Sequence, residues 1–204
     1  MKTKLSLRRV IFAGVMAAVV YVVTLFKIPF LGSNVHFANA ACLLSGMLFG
    51  PVVGGAAAGM GSALYDLLAG GYGVVDALIT FVSKFAMAFV AGVIVYGIKA
   101  DPKKYNVFRT IIGAVVGALT YVVLYMIKTF VFKKFVDGLS MDATWVAMVS
   151  KLIPSLINAL FASIIAPIFY SAILPILVES GLIKDFEEEQ PKKVKDKKEE
   201  QLSK

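Results

Sequence analysis

Hydrophobic positions in this sequence come in long runs, each ended by a short segment rich in polar residues, glycine or proline. Six such runs can be distinguished, at about residues 8–26, 36–50, 52–70, 74–98, 107–128 and 146–178. A helix that crosses the hydrocarbon core of a membrane needs about 20 mainly apolar residues. The pattern therefore predicts an all-α integral membrane protein with six transmembrane helices in a compact bundle.

Two of the six runs depart from the usual length. The second is short, and only Gly50 and Pro51 separate it from the third. The sixth is too long for one simple span, and Pro154, Pro167 and Pro175 each remove a backbone donor from it. We expect kinks in this last helix, or an outer amphipathic turn before its real span.

Composition supports a membrane protein, because 59% of the residues are hydrophobic and the mean hydropathy is +0.82. Charged residues are few and clustered from Val10 to Leu182, whereas Lys and Glu dominate the last twenty-odd residues. The sequence therefore predicts a membrane domain at 1–182 and a charged, disordered cytoplasmic tail at 183–204.

The distribution of Lys and Arg predicts how the helices are oriented. With a cytoplasmic N-terminus, the inner side receives the N-terminal cluster, the cluster between the fourth and fifth helices, and the tail, which together carry most of the cations. Both termini are then cytoplasmic. This orientation explains the net charge of +8, and the acidic run Glu187-Glu188-Glu189 argues against a nucleic-acid partner.

Small residues recur at intervals of four in the second and third runs. Gly46, Gly50 and Gly54 have this spacing, and so do Gly55 and Gly59. Residues four apart share a helix face, and small ones there let two helices approach closely in lipid. The sequence predicts that the second and third helices pack tightly.

The first helix carries another small-residue pattern, Ala13-x-x-x-Ala17 with Gly14-x-x-x-Ala18 beside it. Two interpretations are open. The strip either packs inside the bundle or forms a flat, lipid-facing surface on which another membrane protein docks.

A few strongly polar side chains interrupt the apolar runs, and such groups are costly in a membrane unless they serve a site or a cavity. They are His36, Asn39, Asp66, Asp76, Lys84, Lys151 and Asn158. Tyr121 and Tyr125 share one face of the fifth helix. Together these residues predict a cavity open to the outside, with tyrosine rings as stacking surfaces and a few convergent polar groups.

Simpler interpretations of the same residues are also open. His36 could only cap a helix, Lys84 could pair with Asp66 or Asp76, and Lys151 could extend outward to water. The tyrosines could serve packing alone.

The chain has none of the local motifs of common enzymes. We find no G-x-x-x-x-G-K-[ST] loop, no H-E-x-x-H helix and no G-x-S-x-G turn, and the sequence has one histidine and one cysteine. The sequence predicts no enzyme, no metal site and no bound cofactor. The rival functions are a stand-alone secondary transporter or channel with Asp66 and Lys84 as an ion relay, and a purely structural membrane protein.

One segment resembles a known family. From Asn34 to Lys84 the chain reads "NVHFANAACLLSGMLFGPVVGGAAAGMGSALYDLLAGGYGVVDALITFVSK". The V-H near its start, "LFGP-x-x-GG", "G-x-GSAL-x-DLL" and the later Lys resemble the S components of energy-coupling factor (ECF) vitamin transporters. The similarity is to the riboflavin-type branch, which includes S components for pyridoxine, hydroxymethylpyrimidine and queuosine precursors.

The resemblance implies a mechanism as well as a fold. An S component is a multi-pass protein of the bacterial cell membrane that captures its vitamin outside, with the first outer loop, here Lys27 to Val35, as a lid. It docks on a transmembrane coupling subunit through the small-residue strip, here Ala13 and Ala17. Two cytoplasmic ATPase subunits hydrolyse the ATP.

The candidate substrate-binding residues combine the resemblance with the predicted cavity. They are His36, Asn39, Asp66, Lys84, Tyr125, Lys151 and Asn158. Asn39 replaces acidic residues that sometimes stand near the start of the second helix in this branch. Which vitamin binds is therefore left open.

Overall fold

The computed structural model describes residues 7–30, 33–97 and 105–181. It contains six α-helices and one short β-hairpin: α1 (Leu7–Leu25), β1 (Lys27–Phe30), β2 (Ser33–His36), α2 (Ala38–Phe49), α3 (Pro51–Tyr65), α4 (Val74–Tyr96), α5 (Val107–Val131) and α6 (Met141–Glu179). A π-helical turn extends α3 over Asp66–Gly70, and another extends α5 over Phe132–Val136. The mainly helical architecture confirms the predicted class. The predicted tail at 183–204 lies outside the described residues.

Five of the six helices are long and apolar enough to cross a membrane. The exception is α2, whose 12 residues extend only about 18 Å at 1.5 Å per residue. The expectation of a short second helix is confirmed.

Despite its length, α2 occupies the centre of the bundle. It packs against α1, α3, α4, α5 and α6, and eleven of its twelve residues are buried. A helix that is surrounded on all sides is mainly apolar all round, and α2 has only Asn39 and Ser45 as buried polar residues.

Glycines bring the backbones of neighbouring helices close together. A Cβ atom on Gly54 would lie 2.2 Å from the Ser45 carbonyl oxygen, which confirms the close packing predicted for α2 and α3. The same kind of contact also joins other pairs, because a Cβ on Gly46 would lie 2.0 Å from the carbonyl oxygen of Ala88 on α4. The glycine pattern therefore serves several interfaces, and not only the one predicted.

The hairpin is a departure from the predicted all-helical fold. β1 and β2 pair antiparallel, with Lys27 opposite His36. The sequence analysis placed His36 inside the second helix, which is wrong, because α2 begins at Ala38. The reason is a tertiary contact: the backbone N–H of His36 donates to Asn158 Oδ1 on α6, 2.9 Å away.

The last helix is continuous over 39 residues despite Pro154, Pro167 and Pro175. Its N-terminus is capped by Ser140, whose hydroxyl accepts a hydrogen bond from the backbone N–H of Ala143. At about 58 Å, α6 is much longer than the roughly 30 Å hydrocarbon core. Within the described residues Met141–Glu179, no separate helical element precedes the rest of α6.

Candidate functional site

One end of the bundle encloses a cavity of about 440 Å³. The end of α1, the hairpin, the end of α3, the first half of α4, the second half of α5 and the first half of α6 supply its walls. Ala38, the first residue of α2, lies at the cavity surface. Because α2 is short, it leaves space above its N-terminus, and the volume falls within the range of small-molecule sites.

Six of the seven predicted substrate-binding residues line this cavity: His36, Asp66, Lys84, Tyr125, Lys151 and Asn158. The seventh, Asn39, is buried in the first turn of α2 and contacts the cavity only through Lys84. Residues from five separate elements thus come together in one place.

Lys84 is buried halfway along α4, at the inner end of the cavity. Its ammonium donates a hydrogen bond to Asn39 Oδ1 and lies 3.6 Å from the centre of the Tyr121 ring. The predicted alternative of a pair with Asp76 is wrong, because Asp76 forms its ion pair with Lys128. Within the described ranges, Lys84 forms no ion pair with Asp66 either.

Two tyrosines on α5 form an aromatic wall. The rings of Tyr121 and Tyr125 stack with centroids 5.9 Å apart and planes 16° apart. Lys151 on α6 places its ammonium 6.0 Å from the centre of the Tyr125 ring. The tyrosine pair therefore has a lysine ammonium against each ring, and each contact is of the cation–π type.

Asp66 begins the π-helical turn that ends α3, and its side chain is buried beside Thr80 of α4. Tyr72 N–H bonds back to the Asp66 carbonyl oxygen across the turn. Turns of this kind recur at functional sites. Here the turn holds a carboxylate at the cavity wall.

Asn158 connects the hairpin to α6. Its Oδ1 accepts from the His36 backbone N–H, and its Nδ2 donates to the Asn34 carbonyl oxygen at 2.8 Å. Both ends of the amide are occupied, so Asn158 positions the hairpin over the cavity.

The His36 side chain presents a different group to the cavity. Its Nδ1 is buried and makes no hydrogen bond to any described residue. Burial, together with the charges of Lys84 and Lys27, lowers the pKa of His36 to about 3. The imidazole is therefore neutral at physiological pH.

Several cavity residues were not chosen from the sequence. Lys27 lies between two tyrosines at the hairpin end, 5.1 Å from the Tyr65 ring centre and 5.6 Å from that of Tyr72. Hydrogen bonding to Tyr65, and then to Tyr72, raises the pKa of Lys27. Two signals could have identified this cluster: a lone lysine within "LFKIPF", and the tyrosine directly before Asp66.

The two predicted docking residues differ in exposure. Ala17 is buried, and its carbonyl oxygen would lie 2.3 Å from a Cβ on Gly61 of α3. Ala13 is partly buried. The small residues that α1 exposes are the neighbouring Gly14 and Ala18.

No group of three or more His, Cys, Asp or Glu side chains that could hold a metal ion occurs within residues 7–30, 33–97 and 105–181. The site as described is built from lysines, tyrosines, aspartates and amides.

Comparison with known proteins gives the family. The model of the "ECF-type riboflavin transporter, S component" family matches residues 4–174. The chain belongs to this family. As an S component it is a membrane protein and a substrate-binding part of an ECF transporter, which confirms the resemblance found between Asn34 and Lys84.

A solved structure supports the same fold. The S component of a bacterial ECF transporter has a TM-score of 0.64 to this chain at 19% sequence identity, and the match covers 83% of this chain and 97% of that one. At this identity the likeness concerns the fold alone. A comparison with curated protein sequences finds no significant match.

Proposed function

We propose that this S component captures a vitamin or related flat heteroaromatic micronutrient outside the cell and delivers it inward when docked to its partners. The riboflavin, pyridoxine, hydroxymethylpyrimidine and queuosine-precursor classes all fit this description. The observation that carries the proposal is the tyrosine-walled polar cavity beside the hairpin, in a chain of a transporter family.

The chemistry of the cavity suits such a ligand. Aromatic rings prefer offset stacking on other rings, and the Tyr121–Tyr125 wall offers a stacking surface. The His36 ring and the Asp66 carboxylate both line the cavity and can form hydrogen bonds with the edge of the ligand. We propose that Asn39 and Asn158 act without touching the ligand: Asn39 positions Lys84, and Asn158 positions the hairpin.

The orientation that we propose places the cavity outside and both termini in the cytoplasm, in a multi-pass protein of the bacterial cell membrane. The lysines at the cavity end do not contradict this orientation, although cations favour the inner side. Lys128 and Lys133 form ion pairs with Asp76 and Asp137, and Lys151 lines the cavity.

The partners that we propose are a transmembrane coupling subunit and two ATPase subunits, which hydrolyse ATP in place of this chain. The strip on α1 would face the coupling subunit. Because Ala17 is buried, Gly14 and Ala18 would make the contact, with Ala13 and Ala17 supporting them through the packing of α1 on α3.

Ligand binding by the purified chain tests the proposal. We expect one water-soluble vitamin or precursor to raise the thermal midpoint of the detergent-purified protein, by an amount that grows with ligand concentration. Native mass spectrometry then identifies the bound compound. If no compound of these classes binds, the proposal is wrong.

Two variants locate the binding site. Tyr125→Leu removes one ring of the stacking wall and should weaken binding roughly 2- to 12-fold, the worth of one aromatic pair. Phe108→Leu is the matched control, because Phe108 is an exposed aromatic residue near the opposite end of the same helix. Equal losses in both variants would contradict binding at the tyrosine wall.

A further inference from the structure

The charges that line the cavity are not balanced. Five lysines and three aspartates contribute to its surface: Lys27, Lys84, Lys128, Lys133 and Lys151, with Asp66, Asp76 and Asp137. If every group carries its usual charge, the cavity has an excess of positive charge.

Two of the aspartates already have partners. Asp76 forms an ion pair with Lys128, and Asp137 forms one with Lys133 at 2.6 Å. Asp66 is the one remaining carboxylate among the described cavity residues, and it lies beside the Thr80 hydroxyl. It cannot balance three further lysines.

Lys84 and Lys151 are the lysines whose position is hardest to explain without a ligand. In the described part of the chain neither has a carboxylate within ion-pair distance, and their neighbours are the Asn39 amide and the two tyrosine rings. An amide oxygen and a ring face stabilise an ammonium less than a carboxylate does. An ammonium without a counterion is most unfavourable where it is buried, as at Lys84, whereas Lys151 is only partly buried.

The two ammonium groups are also placed to act on one ligand. They contact the two rings of a single stacked pair, so a flat molecule on this wall has a lysine near each end. Lys27, at the hairpin end, adds positive charge at the entrance.

We propose that the ligand of this cavity is an anion, a heteroaromatic compound with a carboxylate or phosphate group, and that Lys84 and Lys151 bind its acidic group. The inference rests on the proposed function and names the charge class of its substrate. A neutral vitamin would leave both ammonium groups without a counterion, whereas an anion supplies one through charge-assisted hydrogen bonds.

Matched ligand pairs test the inference. The affinity of the purified wild-type chain is measured for nicotinate against nicotinamide, pyridoxal 5′-phosphate against pyridoxine, and flavin mononucleotide against riboflavin. The first pair tests a carboxylate, and the other two test a phosphate. We expect the anionic member of at least one pair to bind about tenfold or more tightly than its neutral partner, the range for hydrogen bonds to charged groups.

Variants assign the effect to the two lysines. Lys84→Met and Lys151→Met keep an unbranched side chain, one atom shorter, and remove its charge. Each should reduce the preference for the anion about tenfold while changing the affinity for the neutral partner little. Lys134→Met is the control, because Lys134 donates to the Leu139 carbonyl oxygen and does not line the cavity.

The outcomes separate the two proposals. If compounds bind but no anionic member binds more tightly than its neutral partner, or if the two lysine variants keep the preference, the inference about charge is wrong and the proposed function stands. If no compound of either charge binds, in these pairs or in the wider screen of water-soluble vitamins and precursors, the proposed function fails and the inference fails with it.

Discussion

At the scale of single residues, the cavity depends on groups whose chemistry is altered by their surroundings. His36 is the clearest case, because it is held by its backbone N–H while its ring is buried near Lys84. A neutral ring beside a lysine can accept or donate a hydrogen bond without adding to the positive charge. Because the folded chain keeps the His36 ring neutral, the stability of the fold depends on pH.

His36 should make the protein less stable in mild acid. Its pKa is about 3 in the folded chain and near 6.5 when unfolded, so as pH falls below 6.5 the unfolded chain binds a proton that the folded chain does not. The stability that neutral His36 contributes is complete above pH 6.5 and decreases by up to about 1.4 kcal/mol per pH unit on the way to pH 3. Thermal midpoints at pH 7.5, 6.0 and 4.5 measure this loss.

His36→Gln is the matched variant for that measurement. It keeps a polar side chain that does not titrate, so its midpoint should fall less between pH 6.0 and 4.5 than that of the wild type. Aspartates titrate in both proteins, and the difference between the two isolates the histidine. Parallel curves would show that His36 is protonated alike in the folded and unfolded chains.

The sequence predicted the members of the site better than their contacts. Polar residues inside apolar runs are costly, and this alone selected Lys84, Asp66 and Lys151. The sequence could not predict which residues they contact. Each partner belongs to another helix, and spacing along the chain does not show which residues of different helices meet. The open alternative for Lys84 was a pair with an aspartate, but the residue contacts Asn39 and Tyr121.

At the scale of elements, two features shape the cavity. The central helix α2 is too short to cross a membrane, and the hairpin above it is held by hydrogen bonds to Asn158. Hydropathy predicted the short helix, because the second apolar run, at about 36–50, is ended early by Gly50 and Pro51. The hairpin was missed, because strands of four residues are too short to show alternation. Its geometry depends on Asn158, which is 122 residues away from His36.

Asn158→Leu should loosen the hairpin without unfolding the bundle. Leucine has a similar size but makes neither of the two hydrogen bonds to Asn34 and His36, so the hairpin should open more often, by roughly 10- to 100-fold if about 1 kcal/mol is lost for each bond. Amide hydrogen exchange of the peptide that contains β1 and β2 measures this directly.

A second asparagine serves as the control. Asn106 caps α5, where its side chain accepts from the Arg109 backbone N–H at 3.0 Å, and it does not line the cavity. Asn106→Leu should speed exchange at the start of α5 only. Faster exchange of the hairpin in both variants would show that Asn158 has no special role there.

The packing of α2 can be tested with a single methyl group. Gly46→Ala forces a Cβ to within 2.0 Å of the Ala88 carbonyl oxygen, so α2 and α4 must move apart. We expect a lower thermal midpoint, on the order of 1–3 kcal/mol of stability. Gly14→Ala has nothing within 4 Å of the new atom and should be neutral or stabilising by about 0.5–1 kcal/mol.

At the scale of the whole molecule, the two ends of the bundle differ in character. The cavity and its charged residues lie at one end. Below them the centre is filled by fully buried side chains such as Leu43, Met47 and Met87. A packed interior of this kind offers a ligand no path through the chain.

This asymmetry agrees with a binding subunit better than with a channel or an independent carrier. The relay proposed as an alternative, through Asp66 and Lys84, would need polar groups that continue toward the opposite end. Beyond Lys84, the next turns of α4 place Met87, Ala88 and Ala91 in the core. A bound ligand must therefore wait for a rearrangement of the protein before it can leave on the other side.

Transport assays in liposomes test whether the packed interior below the cavity prevents transport by the chain alone. Liposomes that contain the chain alone should bind ligand up to one molecule for each outward-facing cavity and accumulate none, with or without an ion gradient. Accumulation should begin only when the coupling subunit, the two ATPase subunits and ATP are present. The rearrangement that releases the ligand on the other side needs free energy, and ATP hydrolysis then supplies it. Accumulation by the chain alone, driven by an ion gradient, would support the relay through Asp66 and Lys84. It would contradict the conclusion that the packed interior leaves no path through the chain.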